Sequence, residues 1–348
     1  MRPKFGIIGC GNISRFHFNG LEKAGADIVY ISDIHEPAAK PYVDKYKAKY
    51  SPDYKDVIAD PEVTVVSVLT SAKYHKEICL AALRAGKDVI CEKTMANDGA
   101  ESIEIAQAAK TSGRLFYTSY MKRFFPAVQK AKELLPQLGR LFSAQARAYQ
   151  NWGDSLYELD NGDGQQWILD AYGGAVIKCA GSHMIDMTLH LLGRPDSLYA
   201  HIDYISNSRV DRKANALFEY ANGMVAHYET AVHPLTRVGY ERNSWDEKLE
   251  INGVNGRLEI YTILWDQPEN NGALLVHYDN ATESSTEYRY PSLDPFEAEM
   301  AYFHTCLTDR KQGQPDVIDG MNVDLVIEAM GISAAQRKAH IFAWPVNL

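Results

Sequence analysis

In the first third of the chain, short runs that are apolar on both faces alternate with longer runs whose apolar residues recur every three to four positions. Lys4 to Asp33 reads as a strand, a glycine turn, an amphipathic helix and a second strand ending in an acid. Val63 to Leu69, Val-Thr-Val-Val-Ser-Val-Leu, is β-branched and apolar on both sides, as a parallel strand covered by helices on both faces must be. A helix is predicted from about His75 to Ala85, stopped by Gly86-Lys87. The next strand is Asp88-Val-Ile-Cys-Glu-Lys-Thr, followed by a helix from about Gly99 to Thr111 and a strand from Arg114 to Tyr120. The pattern predicts an α/β Rossmann domain, a doubly wound parallel sheet, over residues 1–121.

Beyond residue 121 the period shortens. Strand-like runs at about Leu141–Gln150, Ser197–Ile205, Ala214–Tyr220, Met224–His233, Lys248–Ile251, Leu258–Tyr261, Leu274–Tyr278 and Glu287–Tyr290 are mostly joined by short turns. Ala-Asn-Gly at 221–223 and Val-Asn-Gly at 254–256 read as hairpin turns. One long amphipathic helix, roughly Ala175 to Leu192, begins after Gly173-Gly174 and closes at Gly193-Arg194-Pro195. The expected second domain, 122–348, is α+β with a large open, mostly antiparallel sheet. A broad exposed sheet face suits self-association, so a homodimer or homotetramer through it is expected.

At 348 residues the chain suits two cores, and 46% hydrophobic with 23% charged residues is the composition of a water-soluble globular protein. No apolar run is long enough to cross a bilayer, and Met-Arg-Pro-Lys leads straight into a strand, so a cytoplasmic location is expected. A net charge of −9 offers no basic face for nucleic acid. Cys10, Cys79, Cys91, Cys179 and Cys306 are odd in number and scattered, which reads as reduced thiols rather than a disulfide framework.

Candidate chemistry begins at the turn Gly9-Cys10-Gly11-Asn12-Ile13-Ser14. A sharp turn between a buried strand and a helix points free amides and a helix N-terminus at one spot, which suits a pyrophosphate. Asp33 then stands where a ribose diol would arrive and would repel a 2′-phosphate, favouring NAD; His35 and Lys40 leave NADP open. Ser14 occupies the third glycine position of the fingerprint. Because ligands of open α/β sheets collect at the carboxyl ends of strands, Gly11, Asp33, Thr70 and Lys93 should share one rim. A lysine there can stabilise negative charge on a substrate oxygen as hydride moves. On the second-domain helix, Cys179, His183, Asp186 and His190 fall along one stripe. His183 reads as a structural histidine or as a general acid/base; a metal site is disfavoured because three turns of one helix cannot all reach a single ion. Trp152, Tyr157, Trp167 and Tyr172 make an aromatic-dense segment suited either to sugar rings or to ordinary packing.

Taken together, these residues resemble the glucose-fructose oxidoreductase / inositol 2-dehydrogenase / MocA (Gfo/Idh/MocA) family. The resemblance rests on Gly-Cys-Gly-Asn-Ile, His75, Ala-Gly-Lys-Asp-Val-Ile-Cys-Glu-Lys-Thr, Tyr-Met-Lys-Arg-Phe at 120–124, and Gly173-Gly174 followed by His183 and Asp186. It extends to Ile251-Asn-Gly-Val-Asn-Gly-Arg-Leu and to Ile332-Ser-Ala-Ala. It implies NAD(P)-dependent oxidation or reduction of a sugar, polyol or sugar derivative. Lys93 matches the lysine of the family's Glu-Lys-Pro motif, with Thr94 in place of the proline, and His183 matches the histidine. The aspartate four residues before that histidine is Cys179 here, a weak hydrogen-bond partner that cannot raise the histidine's basicity as a carboxylate would. Ser71-Ala72 replaces the usual Pro-Asn, and Ile168 stands where an arginine is common, which argues for NAD and an unphosphorylated substrate.

The expected site therefore has Lys93 and His183 as catalytic residues, and Arg123, Cys179, Asp186, Tyr120 and Trp167 toward substrate. Gly9, Gly11, Asn12, Ile13, Asp33, Thr70, His75, Glu92, Lys93 and Arg123 are expected toward cofactor, with no metal. The expected activity is dehydrogenation of a secondary alcohol or reduction of the ketone. Loss of the aspartate keeps two alternatives: a catalytically silent dinucleotide- or sugar-binding regulator, and an NAD-recycling glycoside hydrolase.

Overall fold

The computed structural model of the protein describes residues 2–152, 174–205, 208, 210–264 and 272–345. Two compact units emerge: Met1–Met121 with Phe296–Asp324 and Val346–Leu348, and Lys122–Pro295 with Leu325–Pro345. The first boundary falls where the hydrophobic period changes. The second unit differs from the expected 122–348, because residues 296–324 cluster with the N-terminal unit.

The N-terminal unit is built on a six-stranded parallel sheet, β1 (Lys4–Ile8), β2 (Asp27–Ser32), β3 (Lys49–Ser51), β4 (Val65–Val68), β5 (Asp88–Glu92) and β6 (Phe116–Ser119), in the order β3-β2-β1-β4-β5-β6. Every residue of β4, β5 and β6 is buried, which is why their sequence shows no polar alternation. The connecting helices are α1 (Ser14–Lys23), α2 (Glu36–Tyr46), α3 (Tyr54–Ala59), α4 (Ala72–Arg84) and α5 (Gly99–Ser112). Strand order reverses between β1 and β4, the place where such sheets open a crevice for a ligand.

Side-chain contacts tie 296–324 to this unit. Arg310 forms a fork with the Asp88 carboxylate, Gln312 bonds the backbone of Phe116 through its amide nitrogen at 2.9 Å and its oxygen at 3.1 Å, and the Tyr117 ring stacks on Phe303 at 4.6 Å.

In the second unit, a 3-10 turn (Met121–Phe124) and α6 (Pro126–Leu134) precede a sheet ordered β14-β13-β12-β11-β7-β10-β9-β8-β15 among the described residues. Its strands are β7 (Leu141–Gln150), β8 (Ser197–Tyr204), β9 (Asp211–Glu219), β10 (Val225–Val232), β11 (Trp245–Gly253), β12 (Gly256–Tyr261), β13 (Leu274–Asp279), β14 (Ser284–Arg289) and β15 (His340–Ile341). All neighbours are antiparallel except β7 and β10. Both Asn-Gly turns form the hairpins expected of them, joining β9 to β10 and β11 to β12. Ala144, Ala146 and Ala148 of β7 are buried while Gln145, Arg147 and Tyr149 between them are at least partly exposed, so one face of the sheet is covered and the other open.

The expected helix from Ala175 to Leu192 is not α-helical throughout. Ile177–Gly181 is a π-turn, and the α-helix proper is α7 (Ser182–Leu192). At its end only glycine fits, because a Cβ on Gly181 would lie 2.1 Å from the hydroxyl of buried Tyr228 on β10. At the helix entrance, the buried Asp211 carboxylate accepts the N–H groups of Ala175 at 2.8 Å and Ile177 at 2.7 Å. The extra residue of a π-turn shifts angular register, so the single straight stripe expected for Cys179, His183, Asp186 and His190 is broken between the first two. Two further helices are α8 (Pro295–Asp309) and α9 (Val317–Gln336). Among the described residues no helix is long and apolar enough to cross a membrane.

Candidate functional site

At the carboxyl end of β1 the chain turns at Gly9 with φ +101°, a conformation only glycine adopts without strain. A side chain there would also strike the Leu69 carbonyl, with its Cβ 2.7 Å from the oxygen. Gly11 is the opposite case: nothing lies within 4 Å of the place its Cβ would take. The N-cap of α1, Ile13, supplies no side-chain acceptor, and the first turn holds no acidic residue. Ser14 and Phe16 turn their N–H groups back to the Gly11 and Ile13 carbonyls at 3.0 and 3.1 Å, and no side-chain cap stands between the head of α1 and the open space at Gly11. Ser14, at the third glycine position, is fully buried and folds its hydroxyl back onto the Gly11 carbonyl at 2.7 Å.

Asp33 follows β2 and receives the Cys10 amide on one carboxylate oxygen at 2.6 Å and the His35 amide on the other at 2.8 Å. Each oxygen keeps a further lone pair, which is what a ribose diol requires. Burial, reinforced by the Asp33 charge, pushes the Cys10 thiol up to about 12, so it stays protonated and unreactive inside the turn. These residues fit a dinucleotide: open space at Gly11, a head of α1 without a side-chain cap, and a fixed acid at Asp33.

Thr70 and Lys93 stand at the carboxyl ends of β4 and β5, on the same rim, and Lys93 is half-buried. The Lys93–Thr94 peptide is cis. His75, from α4, is fully buried, with Nδ1 2.8 Å from the Thr94 carbonyl and Nε2 2.9 Å from the Thr70 carbonyl. It sits between the loops after β4 and β5; burial holds its pKa below the ordinary imidazole value, and the neutral ring donates its one N–H to one of the two carbonyls. Glu92 receives His17 Nε2 on one oxygen at 2.7 Å and the Lys93 amide on the other at 3.0 Å. Asp324 accepts the Ala96 amide at 2.9 Å. The segment carrying Lys93 is thus held from α1, α4 and α9.

In the second unit, Arg123 and Asp186 form a buried bidentate pair, Nε to Oδ2 at 2.8 Å and Nη2 to Oδ1 at 2.5 Å. This fixes Arg123 against α7. His183 is buried on α7, three residues before Asp186, and Cys179 is half-buried within the π-turn. His190 is half-buried with the Lys132 ammonium 3.3 Å from its ring; burial, then the charges of Arg123 and Lys132, depress its pKa to about 3. Lys122 forms a fully buried ion pair with Glu247, which also accepts Gln150 at 2.8 Å and Thr262 at 2.6 Å. Trp152 donates to Gln150 at 2.7 Å. Tyr120, in the N-terminal unit, is fully buried. Trp167, Tyr157 and Tyr172 lie outside the described residues.

His17, Asp324, Asp211 and the Lys122–Glu247 pair are absent from the sequence-derived site. His17 sits among Phe16, Phe18 and Leu21 on a helix that reads as apolar packing, and a histidine in such company is the one sequence signal that could have marked it.

Residues 3–120 match a family profile described as an oxidoreductase family with an NAD-binding Rossmann fold, and residues 128–259 match one described as the GFO/IDH/MocA C-terminal domain. The chain is 25% identical to inositol 2-dehydrogenase/D-chiro-inositol 3-dehydrogenase of Lactiplantibacillus plantarum, over 97% of this chain and 92% of that one. It is 27% identical to levoglucosan dehydrogenase of Pseudarthrobacter phenanthrenivorans, over 59% of this chain and 57% of that one. Among solved structures, levoglucosan dehydrogenase in complex with NADH and levoglucosan superposes with a TM-score of 0.84 at 21% identity, covering 99% of this chain and 100% of that one. With an N-terminal NAD-binding unit and a C-terminal unit both matched, the chain belongs to the GFO/IDH/MocA family of NAD-binding oxidoreductases.

Proposed function

We propose that the protein is an NAD-dependent dehydrogenase acting on a secondary alcohol of a sugar, polyol or sugar derivative, or on the corresponding ketone. The observation that carries the reading is the rim of the N-terminal sheet, where the Gly9–Ser14 turn, Asp33 and Lys93 stand at the carboxyl ends of β1, β2 and β5. Gly11, Asn12 and Ile13 would hold the pyrophosphate and Asp33 the ribose; bound NAD supplies the hydride acceptor. Lys93 donates a hydrogen bond to the substrate oxygen and stabilises the negative charge that grows there. His183 takes the hydroxyl proton in oxidation and returns it in reduction, since an imidazole nitrogen can both accept and donate a proton. Cys179 shapes the pocket beside it. Arg123, locked by Asp186, is assigned to substrate or cofactor contact, and Tyr120 and Trp167 to substrate contact. The dehydrogenases of inositol and levoglucosan among its relatives support the polyol and sugar class.

Lys93→Met tests the reading. Turnover should fall by about 10²- to 10³-fold, the cost of removing one oxyanion donor, with NAD affinity nearly unchanged. A Lys93→Met enzyme with wild-type turnover would refute it. Cys179→Ser should retain substantial turnover; a dead Cys179→Ser together with inactivation by thiol alkylation would give the cysteine a direct chemical role. We also propose a homodimer or homotetramer joined through the open sheet face, which presents Tyr199 at 47% exposure on β8 and paired charges from Arg147 and Lys248. Sedimentation of the wild type against Tyr199→Glu checks this, and a monomeric wild type would contradict it.

A further inference from the structure

We propose that His17 is a positioning residue for Lys93, acting through Glu92; the proposal rests on the catalytic role given to Lys93 above. His17 is fully buried on α1 and the Glu92 side chain is 7% exposed. Their Nε2–Oε1 separation is 2.7 Å, and the second Glu92 oxygen receives the Lys93 backbone N–H at 3.0 Å. A carboxylate only accepts, so Nε2 carries the proton. His17 Nδ1 is buried with no hydrogen-bond partner. Phe296 packs against the ring with centroids 5.8 Å apart.

The Glu92 carboxylate is therefore pinned on both oxygens. One pin comes from the helix whose N-terminus opens the cofactor turn, and the other is the peptide from which the lysine side chain departs. Without the imidazole, the carboxylate is free to rotate and the Lys93 peptide loses its fixed acceptor. A misplacement of a reacting group by about 1 Å costs on the order of 10²-fold in rate. An ordinary buried polar pair would contribute to stability alone; this one ends on the backbone of the proposed catalytic lysine.

The test is a double-mutant cycle of His17→Leu with Lys93→Met, read in single-turnover rate, NAD dissociation constant and melting temperature. His17→Leu should lower the rate about 10- to 100-fold in the wild-type background and not at all beyond Lys93→Met, since both changes remove one effect. NAD affinity should stay within about threefold. His17→Gln, whose amide nitrogen reaches the place of Nε2, should recover most of the rate. The proposal is overturned if His17→Leu costs the same factor in both backgrounds, or nothing in the wild-type background. A fully active Lys93→Met overturns the lysine's role and this proposal together, which sets that failure apart. Should His17→Leu not fold, Glu92→Gln enters the same cycle with the same expectation.

Discussion

Gly9 and Gly11 lie two residues apart in one turn, yet the structure predicts opposite consequences for replacing them by alanine. At Gly9 the new methyl would lie 2.7 Å from the Leu69 oxygen and 2.8 Å from its carbon, at a φ of +101°. The positive φ costs about 1–2 kcal/mol for a residue with a Cβ. Moving a backbone carbonyl at the centre of a parallel sheet adds roughly 1–3 kcal/mol of overpacking. A loss of about 2–5 kcal/mol is a large part of an ordinary folding stability of about 5–15 kcal/mol. At Gly11 nothing lies within 4 Å and no positive φ is required, so alanine should leave the melting temperature near wild type. Its methyl would instead occupy the space assigned to the pyrophosphate and weaken NAD by about 10- to 100-fold, or about 1.4–2.8 kcal/mol. Calorimetric melting and titration of NAD on both variants separate the effects. A Gly11→Ala protein that binds NAD like wild type would refute the placement of the cofactor, and a Gly9→Ala protein of unchanged stability would refute the packing argument.

Other outcomes follow from the buried charges. Lys122→Met should destabilise the protein by about 3–5 kcal/mol, because Glu247 is left buried without its cation, and Lys122→Met with Glu247→Gln should recover much of this; chemical denaturation reads both. His190 is depressed from 6.5 to about 3, so below pH 6.5 the unfolded chain takes a proton that the fold refuses. Stability from this group is full above its unfolded value and falls with pH toward the folded one, by at most about 1.4 kcal/mol per pH unit. His190→Asn should flatten that slope in denaturation midpoints, and an unchanged slope would assign the acid sensitivity elsewhere.

Much of the fold was legible because its signals are local. The apolar runs of β1, β4 and β5 admit few readings other than buried parallel strands, and the Asn-Gly pairs at 222–223 and 255–256 mark tight turns, with Gly223 at φ +82°. The turn at Gly9–Ser14 was legible for the same reason, since the sharp turn between a buried strand and a helix is itself a local signal. What escaped depends on distant partners. The π-turn ends at Gly181, packed against Tyr228, and nothing between 175 and 192 announces a tyrosine arriving from β10. Residues 296–324 join the first unit through Arg310 to Asp88 and Gln312 to Phe116, pairings across some two hundred positions that leave no periodic trace. Arg123 and Asp186 were each legible as chemistry-bearing residues, but not as partners, because a bidentate pair between a 3-10 turn and a helix has no spacing rule.

The central claim, net hydride transfer from a polyol or sugar, is tested most directly by incubating the protein with NAD and a panel of polyols and aldoses while following absorbance at the nicotinamide band. The account predicts NADH accumulating with one or a few of these substrates, and about 10²- to 10³-fold more slowly in Lys93→Met. Sugar release without NADH would instead identify a hydrolase that recycles its cofactor, and neither NADH nor product across the panel would identify a silent sensor; either result contradicts the account.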